Sequence, residues 1–150
     1  TNRIKEQGIY IIANYIFGLP DDTKESMQET LDLAIEINAE WANFYCTMAY
    51  PGSPLYSDGR EQGVSLPDDK DGPGWIGYSQ HAYETLPLPT DTLNSNDVVD
   101  FRDDAFNKYF NHPRFLSMIE KKFGPNINDH IKSMLKVKIK RKHRDPIIAS

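Results

Sequence analysis

The stretch "IIANYIFGLPDDTKESMQETLDLAIEIN", residues 11–38, constrains the fold more than any other part of the chain. An apolar, β-branched and aromatic run stops at Gly-Leu-Pro, acids and a threonine follow, and a helical pattern begins at once. Ile9 to Phe17 reads as a strand, apolar on both parities and therefore expected to be buried on both faces. Asp22 to Glu25 matches a capping box, with Asp22 as cap and Glu25 reaching back. Met27, Leu31, Ala34 and Ile35 then keep the spacing of one helical face, and Asn38 is a plausible stop. A second strand is expected from Trp41 to Tyr50. Its two parities differ: Ala42, Phe44, Cys46 and Met48 form one face, and Asn43, Tyr45 and Thr47 the other. Strand, helix, strand at this spacing is a βαβ unit with parallel strands and a right-handed crossover.

A strand that is apolar on one parity and polar on the other suits a barrel or half-barrel, with helices outside and a ligand inside. The expected class is therefore α/β, a partial (β/α) barrel followed by an irregular segment and a helical C-terminal extension. The boundaries fall at residues 1–56, 57–92 and 93–150. The middle stretch is rich in Gly, Pro and Asp but carries Trp75, Tyr78 and Tyr83, too aromatic for a plain linker. In the extension Asn94 caps a first helix with Val98, Phe101, Ala105 and Tyr109 on one face. Pro113 opens a second helix that Gly124 ends, and Ile127, Ile131, Met134 and Leu135 mark a third.

Composition excludes several classes. Hydrophobic residues at 39% and charged ones at 26% permit a packed core. No apolar run approaches the roughly 20 residues that span a bilayer, and no signal peptide opens the chain, so the cytoplasm is the default location. One cysteine, Cys46, rules out an internal disulfide and a self-contained multi-cysteine metal site; on the apolar parity of its strand it reads as core. The four histidines are scattered without metal-ligand spacing, and Asp68-Asp69 and Asp103-Asp104 read as solvated surface. Net charge is −5, yet seven Lys or Arg and no acid lie between Lys132 and Arg144. Such a run is either a solvated helix end with a frayed tail or a footprint for nucleic acid or a membrane surface; it holds no stacking aromatics, which argues against RNA. "TNRIKEQG" reads like the last turn of a helix closed by Gly8, an unusual opening that points to a piece of a longer chain.

At the Gly-Leu-Pro turn, Gly18 either lets a ligand approach bare backbone or simply makes a tight turn. The turn itself carries more information. "IIANYIFGLPDDTKESMQETLDLAIEINAEWANFYCTMAYPGSPLY" closely resembles the fifth strand, fifth helix and sixth strand of radical S-adenosylmethionine (radical SAM) enzymes. It is most similar to the subgroup with an N-terminal cobalamin-binding domain. That subgroup's "GLPGET" and "YPGTPLY" turns correspond here to Gly18-Leu19-Pro20-Asp21-Asp22-Thr23 and Tyr50-Pro51-Gly52-Ser53-Pro54-Leu55-Tyr56. "WIGYSQHAYETLPLPT" and "FRDDAFNKYF" resemble its C-terminal segments.

The resemblance implies reductive cleavage of S-adenosylmethionine at a 4Fe–4S cluster to start radical chemistry on a small-molecule substrate. The cluster's CxxxCxxC loop is missing from this sequence, so the chain would be the C-terminal part of such an enzyme and inactive alone. Its implied partners are the remaining N-terminal part of the enzyme and an electron donor such as flavodoxin or ferredoxin, with cobalamin a further cofactor of the subgroup. By the same resemblance the family's adenine-side strand maps to Asn14, Ile16 and Gly18, with Asn14 where glycine is common. Asn43, Tyr45 and Thr47 are the inward candidates on the next strand. His81 and Tyr83 are further candidates for substrate contact. The alternative function is a non-catalytic binding or interaction domain built on half a barrel.

Overall fold

The computed structural model describes residues 1–145. The chain runs α1 (Asn2–Glu6), β1 (Ile12–Phe17), α2 (Lys24–Ile37), β2 (Trp41–Cys46), α3 (Pro54–Glu61), a 3₁₀ turn (Gly74–Tyr78), α4 (Ser95–Phe110), α5 (Pro113–Phe123) and α6 (Asn126–Leu135). β1 and β2 pair in parallel, Ile12 opposite Trp41 through Phe17 opposite Cys46, with α2 as the crossover. The βαβ unit is as expected. The partial barrel is not: among the described residues the sheet has two strands and nothing closes it.

Helices cover one face of the sheet. Tyr15 and Phe17 from β1 and Ala42 and Phe44 from β2 point into a core with Met27, Leu31 and Ala34 of α2 and Ala105, Tyr109 and Phe110 of α4. Phe44 stacks on Tyr15 and Phe17, with centroids 5.4 and 5.8 Å apart, and meets the edge of Tyr109 at 5.6 Å. Such ring pairs add about 0.5–1.5 kcal/mol each beyond the area they bury. The Tyr109 hydroxyl donates to the Ala39 carbonyl at 2.6 Å, tying α4 to the start of β2. The other face of β1 is open. Ile12, Asn14 and Ile16 are exposed, which corrects the expectation of burial on both faces: no second layer covers that side among the described residues.

The start of α2 also differs from expectation. Thr23, not Asp22, is the cap, and its box partner is Ser26: each side-chain oxygen accepts the other's backbone N–H. Asp22 serves the preceding turn. Its carboxylate accepts from the Gly18 and Leu19 amides, both at 3.0 Å, and from the Ser26 hydroxyl at 2.6 Å. One acid thus holds the Gly-Leu-Pro turn against the first turn of the helix. Asn38 ends α2 in the left-handed region, φ 50°, and Lys5 of α1 caps its last carbonyls.

One further boundary moves. The segment 57–92 is not wholly irregular, because α3, capped by Ser53 and opened by Pro54, runs into it as far as Glu61. The final three helices lie as expected, with Asn94, Pro113 and Gly124 in their anticipated places. The last five residues of the 93–150 extension lie outside the described residues.

The basic run is exposed along most of its length, but one of its arginines is not. Arg141 is 1% exposed. Its guanidinium grips the Asp103 carboxylate at 2.9 and 2.8 Å and donates to the Ala82 and Gln80 carbonyls. Arg102 and Arg144 also donate to Asp103. The acid read as solvated surface is therefore a buried hub of three guanidiniums. Burial pushes its carboxyl up, but the Arg141 and Arg102 bonds more than offset this and hold it below the ordinary range.

Candidate functional site

The open face of the sheet gathers four of the six residues singled out from the sequence. The register sets Asn14 opposite Asn43 and Ile16 opposite Tyr45. Side chains of one parity share a face in a parallel pair, so these four form one contiguous patch. A side-chain ladder crosses it: the Trp41 indole N–H donates to Asn43 Oδ1 and Asn43 Nδ2 donates to Asn14 Oδ1, both at 2.9 Å. Exposed Ile12, Ile16 and Tyr45 flank the amides with apolar surface. A face with central amides and apolar flanks can hold a planar ring and hydrogen-bond its edge.

Gly18 and Thr47 sit differently. Gly18 has φ +79°, where an L side chain is strained, and a Cβ there would lie 2.5 Å from Val98 Cγ1 of α4. Turn conformation and packing against α4 already demand glycine, without a ligand. Thr47 is buried; its amide and hydroxyl both donate to the Phe17 carbonyl, at 2.8 and 3.1 Å, closing the sheet at its carboxyl end.

The two edges of the sheet are unequal. In a parallel strand the peptide groups of alternate residues point to opposite neighbours. On β2 the outward ones belong to Ala42, Phe44 and Cys46. Arg102 Nε donates to the Phe44 carbonyl at 2.8 Å, and the Gln80 amide both accepts from the Cys46 N–H and donates to its carbonyl, at 2.8 and 3.0 Å. Side chains thus close that edge, and Arg141 pins the segment that carries Gln80. On β1 the outward groups of Ile12, Asn14 and Ile16 face no strand among the described residues. Sequence reasoning missed Gln80, Arg102 and Arg141. The only trace was an arginine within the apolar stripe of α4.

Cys46 is core, as read from its parity: it packs with Met48, Tyr78, Val98 and Val99, and burial pushes its thiol up to about 12. Among the described residues no three His, Cys, Asp or Glu side chains converge on a metal position. His81 and Tyr83 lie away from the open face. His81 lines a cavity of about 540 Å³ between α4 and the basic tail, with Arg102, Phe106, Leu135 and Arg144. Burial, with Arg102 and Arg141 adding, holds the imidazole below its ordinary pKa. Tyr83 holds the basic tail: its carbonyl accepts from the Lys142 amide and its hydroxyl donates to the Asp145 carbonyl. His112 caps α5, and His143 bonds Asp100.

Beyond β2, Asp68 joins two tyrosines. It accepts from the Tyr56 hydroxyl at 2.6 Å and the Tyr78 hydroxyl at 2.8 Å, while Arg60 contacts Tyr56, Asp68 and Asp69. The Tyr56 bond above all holds this carboxylate below its usual range. The Asp68-Asp69 pair is therefore a structural junction and not a solvated turn.

Comparison with known proteins adds distant, partial similarity to enzymes. The chain is 31% identical over 52 residues to an uncharacterized methyltransferase of Pyrococcus horikoshii, covering 35% of this chain and 11% of that protein. It is 24% identical over 107 residues to the anaerobic magnesium-protoporphyrin IX monomethyl ester cyclase of Cereibacter sphaeroides, covering 71% of this chain and 16% of the cyclase. Against the enzyme of the same name from Rubrivivax gelatinosus it is 23% identical over 113 residues, covering 75% and 19%. The chain therefore spans less than a fifth of the length of each of these relatives. No protein-family profile matches, and no solved structure matches. Among the described residues no helix is long and apolar enough to cross a membrane.

Proposed function

We propose that this chain forms one wall of a radical SAM enzyme and that the open face of β1 and β2 receives S-adenosylmethionine. The single observation that carries the reading is the asymmetry of the sheet. One face is packed under helices, whereas the other presents Asn14, Ile16, Asn43 and Tyr45 to the outside. Parallel sheets are rarely left with a bare face. The open β1 edge would take further strands from the rest of the same enzyme, and β2, whose outer edge meets Gln80 and Arg102, would be the last strand. Gly18 and Thr47 would shape the rim of the site.

The residues fit the cofactor's adenosyl part: Asn14 keeps its amide NH₂ for a ring or ribose acceptor, and Ile16 and Tyr45 offer apolar contact. S-adenosylmethionine, when bound, would supply the radical precursor; this chain's own contribution is to orient it and exclude water. The residues do not fit a 4Fe–4S cluster. Cluster iron is held by several cysteine thiolates, and the chain has one cysteine, packed in the core with its pKa raised. Cluster ligands, any cobalamin-binding domain and the contact for flavodoxin or ferredoxin would all come from sequence outside this chain. The names of the relatives, a methyltransferase and anaerobic cyclases, make a methyl acceptor or a tetrapyrrole ester the small-molecule substrates to try first. Cytoplasmic location belongs to the same proposal, and nothing in it calls for nucleic acid.

The test uses the intact enzyme. Asn14→Ala should raise the Kd for S-adenosylmethionine about fivefold, the worth of one ~1 kcal/mol hydrogen bond, with iron content and Tm unchanged. Ile16→Asp should abolish binding. Full affinity in both variants would return the face to the interaction-domain alternative.

A further inference from the structure

An aromatic platform stands at the carboxyl end of β2, apart from the asparagine face. A ladder of backbone bonds locates it: the Leu88 amide donates to the Thr47 carbonyl, and the Leu86 amide to the Gly77 carbonyl. The 3₁₀ turn Gly74–Tyr78 is thereby fixed next to the strand's end, and Tyr78 packs against Cys46 and Met48. Tyr78 is buried and contacts two further rings. Tyr50 stacks on it at 5.3 Å and 26°, and Trp75 meets it at 5.6 Å and 48°. Tyr50 is 50% exposed and Trp75 is 73% exposed, among the described residues second only to Val137 of the large hydrophobic side chains.

The base of this platform is held firmly. The Tyr78 hydroxyl donates to Asp68, which the Tyr56 hydroxyl and Arg60 hold in turn. Burial and the Asp68 carboxylate both push the Tyr78 phenol up, so it stays a protonated donor at physiological pH. A fixed ring under an exposed indole is a preorganised stacking surface. Leaving an indole in water without a partner forfeits a large burial gain. Ligands in parallel α/β units bind beyond the carboxyl ends of strands, which is where these rings stand.

We propose that Trp75, supported by Tyr78 and Tyr50, stacks on a planar conjugated ring of a small-molecule ligand. This inference does not depend on the asparagine face binding the cofactor. Two sources could supply such a ring: a substrate, represented by a porphyrin macrocycle, or the adenine of S-adenosylmethionine. The stacking partner is recognised by its π-face, so an apolar residue without one should replace the indole poorly.

The experiment uses the intact enzyme and its Trp75→Phe and Trp75→Leu variants. Magnesium-protoporphyrin IX monomethyl ester and S-adenosylmethionine are titrated separately, with Tm recorded for each protein. Trp75→Leu should weaken one of the two ligands about tenfold or more, Trp75→Phe should retain most of the affinity, and Tm should stay unchanged because the side chain is exposed. Loss for the porphyrin alone assigns the platform to substrate; loss for S-adenosylmethionine alone assigns it to adenine. Three results overturn the proposal: equal affinity of the Phe and Leu variants, binding of neither ring by the parent, or protection of Trp75 from acrylamide quenching in the ligand-free enzyme. The last would mean that protein covers the indole, whether another part of the enzyme or a second copy.

Discussion

Replacing Gly18 by alanine tests the account of the strand-to-helix turn. Two costs are separable in the structure. The residue has φ +79°, and holding a non-glycine residue in the left-handed region costs about 1–2 kcal/mol. The new Cβ would also lie 2.5 Å from Val98 Cγ1 and 3.2 Å from Cγ2, and Val98 is fully buried. Relieving such a contact means shifting α4 or an off-rotamer valine, about 1–3 kcal/mol. The expected loss is therefore about 2–5 kcal/mol, a large part of an ordinary domain's stability. Val98→Ala alone should cost about 2 kcal/mol, from two buried methyl groups plus a cavity. The double variant should be more stable than the sum of the two losses predicts, by about 1–3 kcal/mol, because alanine at position 98 makes room for the new methyl. Urea unfolding followed by tryptophan fluorescence and far-ultraviolet circular dichroism measures all four proteins. An additive cycle would refute the contact, and a neutral Gly18→Ala would refute the turn conformation as well.

Asp103→Asn should destabilise the protein by about 3 kcal/mol or more, since it leaves Arg141 buried without its counter-charge; limited proteolysis with trypsin after Arg141 should accelerate in step. The folded-state pKa values of Asp103 and Glu40 lie below their ordinary ones, Glu40 because the bonds from Lys122 and the Ile11 amide outweigh its burial. Their stabilisation is thus complete at neutral pH and lost as pH falls below about 4; unfolding curves at pH 7, 5 and 3 should steepen this loss in the parent and flatten it in Asp103→Asn. Cys46, with its thiol pushed up to about 12 and 5% exposed, should resist a thiol reagent at pH 8 until denaturant is added. Stoichiometric labelling of the native protein within seconds would contradict its place in the core.

Much of the βαβ unit is a local matter and was legible in the residues. The periodicity of Met27, Leu31 and Ala34, the stop at Asn38 and the parity of Trp41 to Cys46 each depend on near neighbours, and each holds in the structure. The same parity set Asn43 and Tyr45 together on one side of β2, because side chains alternate with period two; that Asn14 and Ile16 join them was implied by the resemblance, and the register sets them opposite one another. The cap moved from Asp22 to Thr23 for a reason just out of reach: the Gly18 and Leu19 amides compete for the Asp22 carboxylate once the turn has formed.

What only the tertiary structure decided is the meaning of the charges and of the glycine. Composition alone makes Arg141 and Asp103 look solvated, and nothing in the order of residues reveals that the chain returns to bring them together across 38 positions. Burial of a charge costs too much to be expected until its partner is known. Gly18 is legible as a turn residue from its neighbours in sequence, but its contact with Val98 depends on where α4 packs, a long-range choice set by the shape of the whole aromatic core. Local spacing determined the unit; packing determined which of its surfaces are closed and which are open.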